Sequence, residues 1–228
     1  GDYYHTRHFN GQMHELIIIE PDISDSERQA ITHYLAKKWD LESSVDSDGD
    51  GIVDEDDRQP LSAESIDLSD QIQLHLGRSG NMSAHEGHLQ LWLDASKVNP
   101  NGDEPDNEIS ISTWKDLSGK GHHMVNTNSS TQPILKTKQL NSKPIIDFES
   151  SKKLVSNSEF YSGKDIEVFA VFIIDEDRAN WGQLMGHGHR DTDWSLEHNG
   201  VNNNTTIQFQ TENDNNTDIS ALFGQPYI

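Results

Sequence analysis

The sequence predicts an all-β, antiparallel fold, a two-sheet sandwich preceded by a strand–helix piece and an acidic loop. Two observations carry the β assignment. From Leu89 onward, short apolar runs are separated by clusters of Asn, Asp, Gly, Ser and Pro, the texture of strands joined by turns. No helical period of any length interrupts that texture. A third observation narrows what holds the fold together. The 228 residues include no cysteine, so any metal must be held by oxygen or imidazole, and neither disulfides nor thiolate sites contribute.

Residues 9–41 read as a buried strand followed by a helix. Met13-His14-Glu15-Leu16-Ile17-Ile18-Ile19 is apolar and β-branched, and it stops at Glu20-Pro21, where proline removes a ladder donor. Ser24 with Glu27 three residues later forms a capping box that starts a helix running to about Trp39. Ala30, Ile31, Tyr34, Leu35 and Trp39 recur at helical spacing, which predicts an apolar face with Glu27, Arg28, Lys37 and Lys38 mostly off it. Tyr34 and Trp39 are read as core anchors.

The next stretch is Asp46-Ser47-Asp48-Gly49-Asp50-Gly51-Ile52-Val53-Asp54-Glu55-Asp56-Asp57. Its carboxylates are spaced as a calcium-wrapping loop requires, since Ca²⁺ takes about six to eight oxygens and a short loop supplies them by offering a side chain every second residue. Asp46, Asp48 and Asp50 do this. Gly51 sits at the sharp turn, Ile52 offers its backbone carbonyl, and Asp54 and Asp57 close the shell. The closing residue is Asp57 where helix–loop–helix sites usually carry Glu, so its shorter arm predicts modest affinity, on the order of 10⁻⁴ to 10⁻³ M.

Residues 61–86 stay unassigned: Ile66, Leu68, Ile72, Leu74 and Leu76 fit neither period, and 77–87 has the composition of a linker. Beyond them, strands are expected at 89–93, 144–148, 166–174, 183–186, 194–198 and 206–210, with another starting near Pro226.

Thirty-nine acidic against seventeen basic residues give a formal charge of −22. That charge repels a phosphate backbone and leaves no basic stripe, which argues against nucleic-acid binding. No apolar run approaches the roughly 18 residues needed to span a bilayer.

Leu91-Trp92-Leu93-Asp94-Ala95-Ser96, Trp114-Lys115-Asp116-Leu117-Ser118-Gly119-Lys120-Gly121-His122-His123 and Pro144-Ile145-Ile146-Asp147-Phe148 together resemble the front of a laminin-G-like, concanavalin A-like jelly-roll domain of bacterial surface proteins. Phe9-Asn10-Gly11-Gln12-Met13-His14-Glu15-Leu16-Ile17-Ile18, then Ser24-Asp25-Ser26-Glu27-Arg28 and Tyr34-Leu35-Ala36-Lys37-Lys38-Trp39, resemble the back of such a domain. The acidic loop resembles a thrombospondin type 3 repeat without that family's cysteines. The tail thus precedes the head. This order implies tandem domains cut at both ends: 1–42 ending one domain, 43–60 the calcium loop, 61–86 a linker, and 87–228 opening a second domain. A circular permutation, with residues 1–42 completing the sheet begun at Leu89, is the alternative.

The resemblance implies an extracellular or cell-surface, calcium-stabilised, non-catalytic piece of a modular protein, acting in adhesion or carbohydrate binding beside neighbouring domains of the same chain. An accessory region of a secreted polysaccharide-degrading enzyme and a plain structural spacer are the alternatives. No Glu-x-Asp-x-x-Glu run supplies a glycosidase pair, and Asp165 with Glu167 is an acidic pair lacking a third acid. His122 and His123 read as structural, because no nucleophile accompanies them. His187, His189, Asp191 and Asp193 read as a polar hairpin tip or a transition-metal cluster. The loop 99–107 reads as solvated or as a weak second calcium site. Trp181 and Trp194 read as core or as sugar-stacking residues, and 199–204 and 211–218 as rim loops suited to glycan contact.

Overall fold

The computed structural model describes residues 9–19, 23–61, 89–98, 108–149, 151–158, 166–175, 181–187, 194–201, 204–211, 217–221 and 226–227. The linker 62–88, the acidic loop 99–107 and residues 188–193 lie outside them, as do the side chains of Trp181, His187, Trp194 and the two rim loops.

In chain order the elements are β1 (Gly11–Ile19), α1 (Asp25–Trp39), β2 (Leu89–Asp94), β3 (Ile109–Ser110), β4 (Thr113–Trp114), β5 (Met124–Val125) and β6 (Ile134–Leu140). There follow β7 (Lys143–Phe148), β8 (Val155–Ser156), β9 (Glu167–Ile174), β10 (Trp181–His187), β11 (Trp194–Val201), β12 (Asn204–Thr211), β13 (Thr217–Ala221) and β14 (Pro226–Tyr227). The described chain is mostly strand, and its strand pairs are antiparallel. The largest sheet runs β14-β9-β1-β7-β6-β3 with β2 also beside β1; a second runs β10-β11-β12-β13 and a third β4-β5-β8.

β1 is the spine of the large sheet. β9 pairs with it from Gly11↔Ile174 to Ile19↔Glu167, while β7 takes Gly11 to Met13 of its other edge and β2 takes Glu15 to Ile19. Central placement explains the unbroken apolar run: Leu16, Ile17, Ile18 and Ile19 are all buried. Gly11 is fixed by close approach, because a Cβ there would lie 2.2 Å from the Ile173 carbonyl oxygen. The register against β9 shifts between Met13 and Glu15, which makes His14 the extra residue of a bulge. Strict alternation would put Met13 and Leu16 on opposite faces. With the bulge both line one cavity, together with Ile18, while Glu15 meets α1 on the other face.

Helix α1 begins as its capping box requires, with the Ser24 side chain accepting from the Glu27 N–H, and ends at Asp40 in the left-handed region at φ 54°. Ile31, Leu35, Ala36 and Trp39 are buried. Two residues expected off the apolar face bind partners on the strands, Lys38 largely buried and Arg28 still at the surface. Lys38 reaches Glu15 and Asp94, and Arg28 grips both oxygens of Glu167 on β9, its Nε at 2.7 Å and its Nη2 at 2.8 Å. The exposed backbone end of α1 is covered by the β6–β7 hairpin: Asn141 donates from Nδ2 to the carbonyls of Trp39 at 2.6 Å and Asp40 at 3.0 Å, and Lys143 pairs with Asp40. That hairpin turns through Asn141 and Ser142, at φ 48° and 63°, the two left-handed residues of a type I′ turn.

The six expected strands are present. β14 matches the strand expected to start near Pro226; β6, β13 and the two-residue strands β3, β4, β5 and β8 are additions, and β6 escapes notice because Lys136, Lys138 and Gln139 break its apolar pattern. The sequence reading takes residues 1–42 either as the end of a preceding domain or as completing the sheet begun at Leu89; here β1 and α1 share one core with β2, β7 and β9. The physical reason is that β1 is an inner strand whose neighbours β2, β7 and β9 all come from beyond the acidic loop. Among the described residues, no helix is long and apolar enough to cross a membrane.

Candidate functional site

Within the acidic loop, Asp46, Asp48 and Asp50 bring one carboxylate oxygen each to within 4.8 Å of one another. The backbone arranges them. Asp46 accepts from the N–H groups of Gly49 at 2.7 Å and Gly51 at 2.9 Å, Asp48 from Asp50 at 3.1 Å, and Asp50 from Ile52 at 2.8 Å. Gly51 takes φ 96°, where an L side chain is strained, and Gly49 takes φ 78°. Asp57 belongs to the same charge field: one oxygen accepts from the Gln59 N–H at 2.8 Å, while its Oδ2 is buried without a hydrogen-bond partner. The pKa of Asp48 is raised, first by partial desolvation and then by the charges of Asp50, Asp57 and Asp46, against the pull of the Asp50 N–H. Among the described residues no lysine, arginine or histidine pairs with any of these four.

No family model, curated protein or solved structure matches this chain. The geometry therefore carries the reading. An all-oxygen set of converging carboxylates suits a hard divalent cation and not a soft one.

Asp57 falls outside the converging triad, and so does Asp54, which the spacing also places in the shell. Asp54 is 6% exposed, and both its oxygens are used: Oδ1 accepts from the Ser47 N–H at 2.8 Å, while Oδ2 accepts from the Ser47 hydroxyl at 2.6 Å and contacts His33 Nδ1 at 2.8 Å. Its role is to fasten the loop to α1. Backbone bonds from Asp54 to Val45 at 2.7 Å and from Glu55 to Glu42 at 3.1 Å close the loop at its base, and Gln29 donates to the Asp48 carbonyl at 3.3 Å. Ile52 contributes its N–H to Asp50 and leaves its side chain exposed.

A second cluster of carboxylates, missed by the sequence reading, lies under α1. Glu15 is fully buried and accepts from Trp39 Nε1 at 2.7 Å, Trp92 Nε1 at 2.8 Å, Tyr34 OH at 3.4 Å and Lys38 Nζ at 2.8 Å. Lys38 also donates to Asp94 at 2.8 Å and to Tyr34 OH at 3.0 Å. Burial pushes the Glu15 pKa up, with Lys38 and Trp92 opposing. Burial alone would lower that of Lys38, but Glu15 and Asp94 reverse the sign and leave it raised. Next to them His14 is fully buried with no hydrogen bond on either ring nitrogen, its ring 5.1 Å from that of Trp39. Burial drives its pKa down to about 4, the Pro144 backbone opposing without completing a hydrogen bond. A glutamate inside an otherwise apolar strand was the available signal, because carboxylates are rarely buried unpaired.

Asp116 organises the turn after β4. Its side chain accepts from the N–H groups of Trp92 at 3.1 Å, Ser118 at 2.8 Å and His122 at 2.9 Å, while its own N–H donates to His123 Nδ1 at 3.1 Å. His122 contacts the Ser158 hydroxyl at 2.7 Å. These bonds give both histidines structural partners. Glu167 is held by Arg28.

Proposed function

We propose that this chain is a calcium-stabilised, non-catalytic module of a secreted or cell-surface protein, with a concanavalin A-like jelly-roll sandwich, acting in adhesion or carbohydrate binding. The convergence of Asp46, Asp48 and Asp50, with no side-chain cation among the described residues to offset them and one Asp57 oxygen unpartnered there, is the observation that supports the calcium part. Asp46, Asp48, Asp50 and Asp57 would hold the ion. Bound there, it would offset the mutual repulsion of four carboxylates and fix the loop against α1, to which Asp54 and Gln29 already tie it. The resemblance of the three motifs from Leu91 to Phe148 supports the adhesion and glycan part, and fold alone decides neither.

Limited proteolysis with calcium and with chelator, beside a glycan array probed in calcium, tests the reading. The expected result is chelator-dependent cleavage within 41–62 and retention on a glycan. Cleavage indifferent to calcium would remove the metal's stabilising role, and an empty array would favour a structural spacer.

A further inference from the structure

The sequence holds no cysteine, so no disulfide can staple it. Under α1 the fold assembles the parts of another covalent link. Lys38 Nζ lies 2.8 Å from Asp94 Oδ2, with the carboxyl carbon one bond further on, and 2.8 Å from Glu15 Oε2. The three side chains come from α1, β2 and β1, and Glu15 and Asp94 stand directly opposite each other across the two strands. Both carboxylates are buried. The rings of Tyr34 and Trp39 lie 5.3 and 5.5 Å from Nζ, and the indole of Trp92 closes on Glu15.

Two further features suit acyl transfer rather than a plain ion pair. The second oxygen of Asp94, Oδ1, accepts from the Ser96 N–H at 2.8 Å and the Ser96 hydroxyl at 2.6 Å, two donors fixed on the atom that gains charge when Cγ is attacked. Glu15 touches the amine, is oriented by Trp39 and Trp92, and has a pKa raised by burial, as suits a group that must hold a proton. Burial also favours a neutral amine beside a neutral acid over two buried ions. It would lower the Lys38 pKa, which Glu15 and Asp94 raise on balance, yet the proton to be shed passes to Asp94 along the 2.8 Å contact and stays within the cluster.

We propose that Lys38 and Asp94 condense into an isopeptide bond, with Glu15 carrying the proton. One ammonium proton moves to Asp94 Oδ2, which leaves a neutral amine and a carboxylic acid. The amine attacks Cγ, the C–N bond forms, and charge collects on Oδ1 under the Ser96 donors. Glu15 takes a second proton from the nitrogen and hands it to Oδ2, whose bond to Cγ breaks as water departs. An ammonium and a carboxylate thus become one amide and one water, Glu15 is regenerated, and no oxidant is consumed. The link closes residues 38–94, the acidic loop among them, into a covalent ring. It forms whether or not that loop binds calcium.

Intact-mass spectrometry of the whole chain, unfolded after purification in its native state, tests this together with peptide mapping. The chain is expected one water lighter than its sequence, with a branched peptide joining Lys38 to Asp94. Asp94→Asn should form the same amide and lose ammonia instead. Glu15→Gln, its fold verified by thermal unfolding, should keep its full mass. Full sequence mass in the parent chain, a deficit that maps to succinimides at Asp48-Gly49 or Asp50-Gly51, or linking undiminished in Glu15→Gln would each overturn the proposal.

Discussion

The protein gathers carboxylates in two places and treats them in opposite ways. Under α1, Glu15 and Asp94 are out of water and meet their own cation, Lys38, with indole donors from Trp39 and Trp92 completing the shell. In the loop, Asp46, Asp48 and Asp50 lie near the surface and, among the described residues, meet backbone N–H groups alone. Dry carboxylates demand a built-in counter-charge, because desolvation costs several kcal/mol per ion. Wet ones tolerate its absence, which leaves the loop open to a counter-charge from solution. The first cluster is closed chemistry and the second is open chemistry.

The largest expected effect breaks the closed cluster. Lys38→Met leaves Glu15 and Asp94 buried without a cation and should cost about 3–5 kcal/mol by urea unfolding, equally with and without calcium. Adding Glu15→Gln should recover part of that loss, since the orphaned charge then disappears. A loss under about 1 kcal/mol for the single change would show the cluster to be solvated.

Beside that cluster, His14 sharpens the contrast through acid. Its pKa is lowered to about 4 in the fold, from 6.5 when unfolded, so between those values the unfolded chain binds more protons. Stability therefore falls as pH drops through that window, by on the order of 3 kcal/mol in total. His14→Phe should remove that slope, read from urea midpoints measured from about pH 7 down to about pH 4.

Calcium is expected to act on the open cluster alone. With dissociation on the order of 10⁻⁴ to 10⁻³ M, about 10 mM calcium should add roughly 1.4–2.7 kcal/mol. Asp46→Asn should abolish this increment in thermal unfolding and leave the metal-free midpoint little changed. Because the raised pKa of Asp48 favours protonation, the increment should shrink as pH falls toward the carboxylate range. The smallest effect comes from the turn. Gly51→Ala places an L residue at φ 96° and should cost about 1 kcal/mol while weakening calcium uptake.

Local rules made much of this legible. The capping box at Ser24 and Glu27, the buried run of β1 and the strands of 89–210 follow from neighbouring residues, and the spacing of Asp46, Asp48 and Asp50 foretold their convergence. What escaped depends on partners distant in sequence. Asp54 fits a ligand position by spacing, yet His33, on the preceding helix, draws it to the base of the loop. Lys38 reads as surface until Glu15 and Asp94 arrive from two strands. The bulge at His14 is likewise invisible without the register of β9. The sequence left open for the same reason whether residues 1–42 join the sheet begun at Leu89, since order along the chain does not say which strands pair.

The most direct test of the central claim is calcium titration by isothermal calorimetry on the whole chain and on its Asp50→Ala variant. The account predicts saturable uptake of about one ion, on the order of 10⁻⁴ to 10⁻³ M, that disappears in the variant. No saturable heat from the parent chain, or equal uptake by Asp50→Ala, would contradict it.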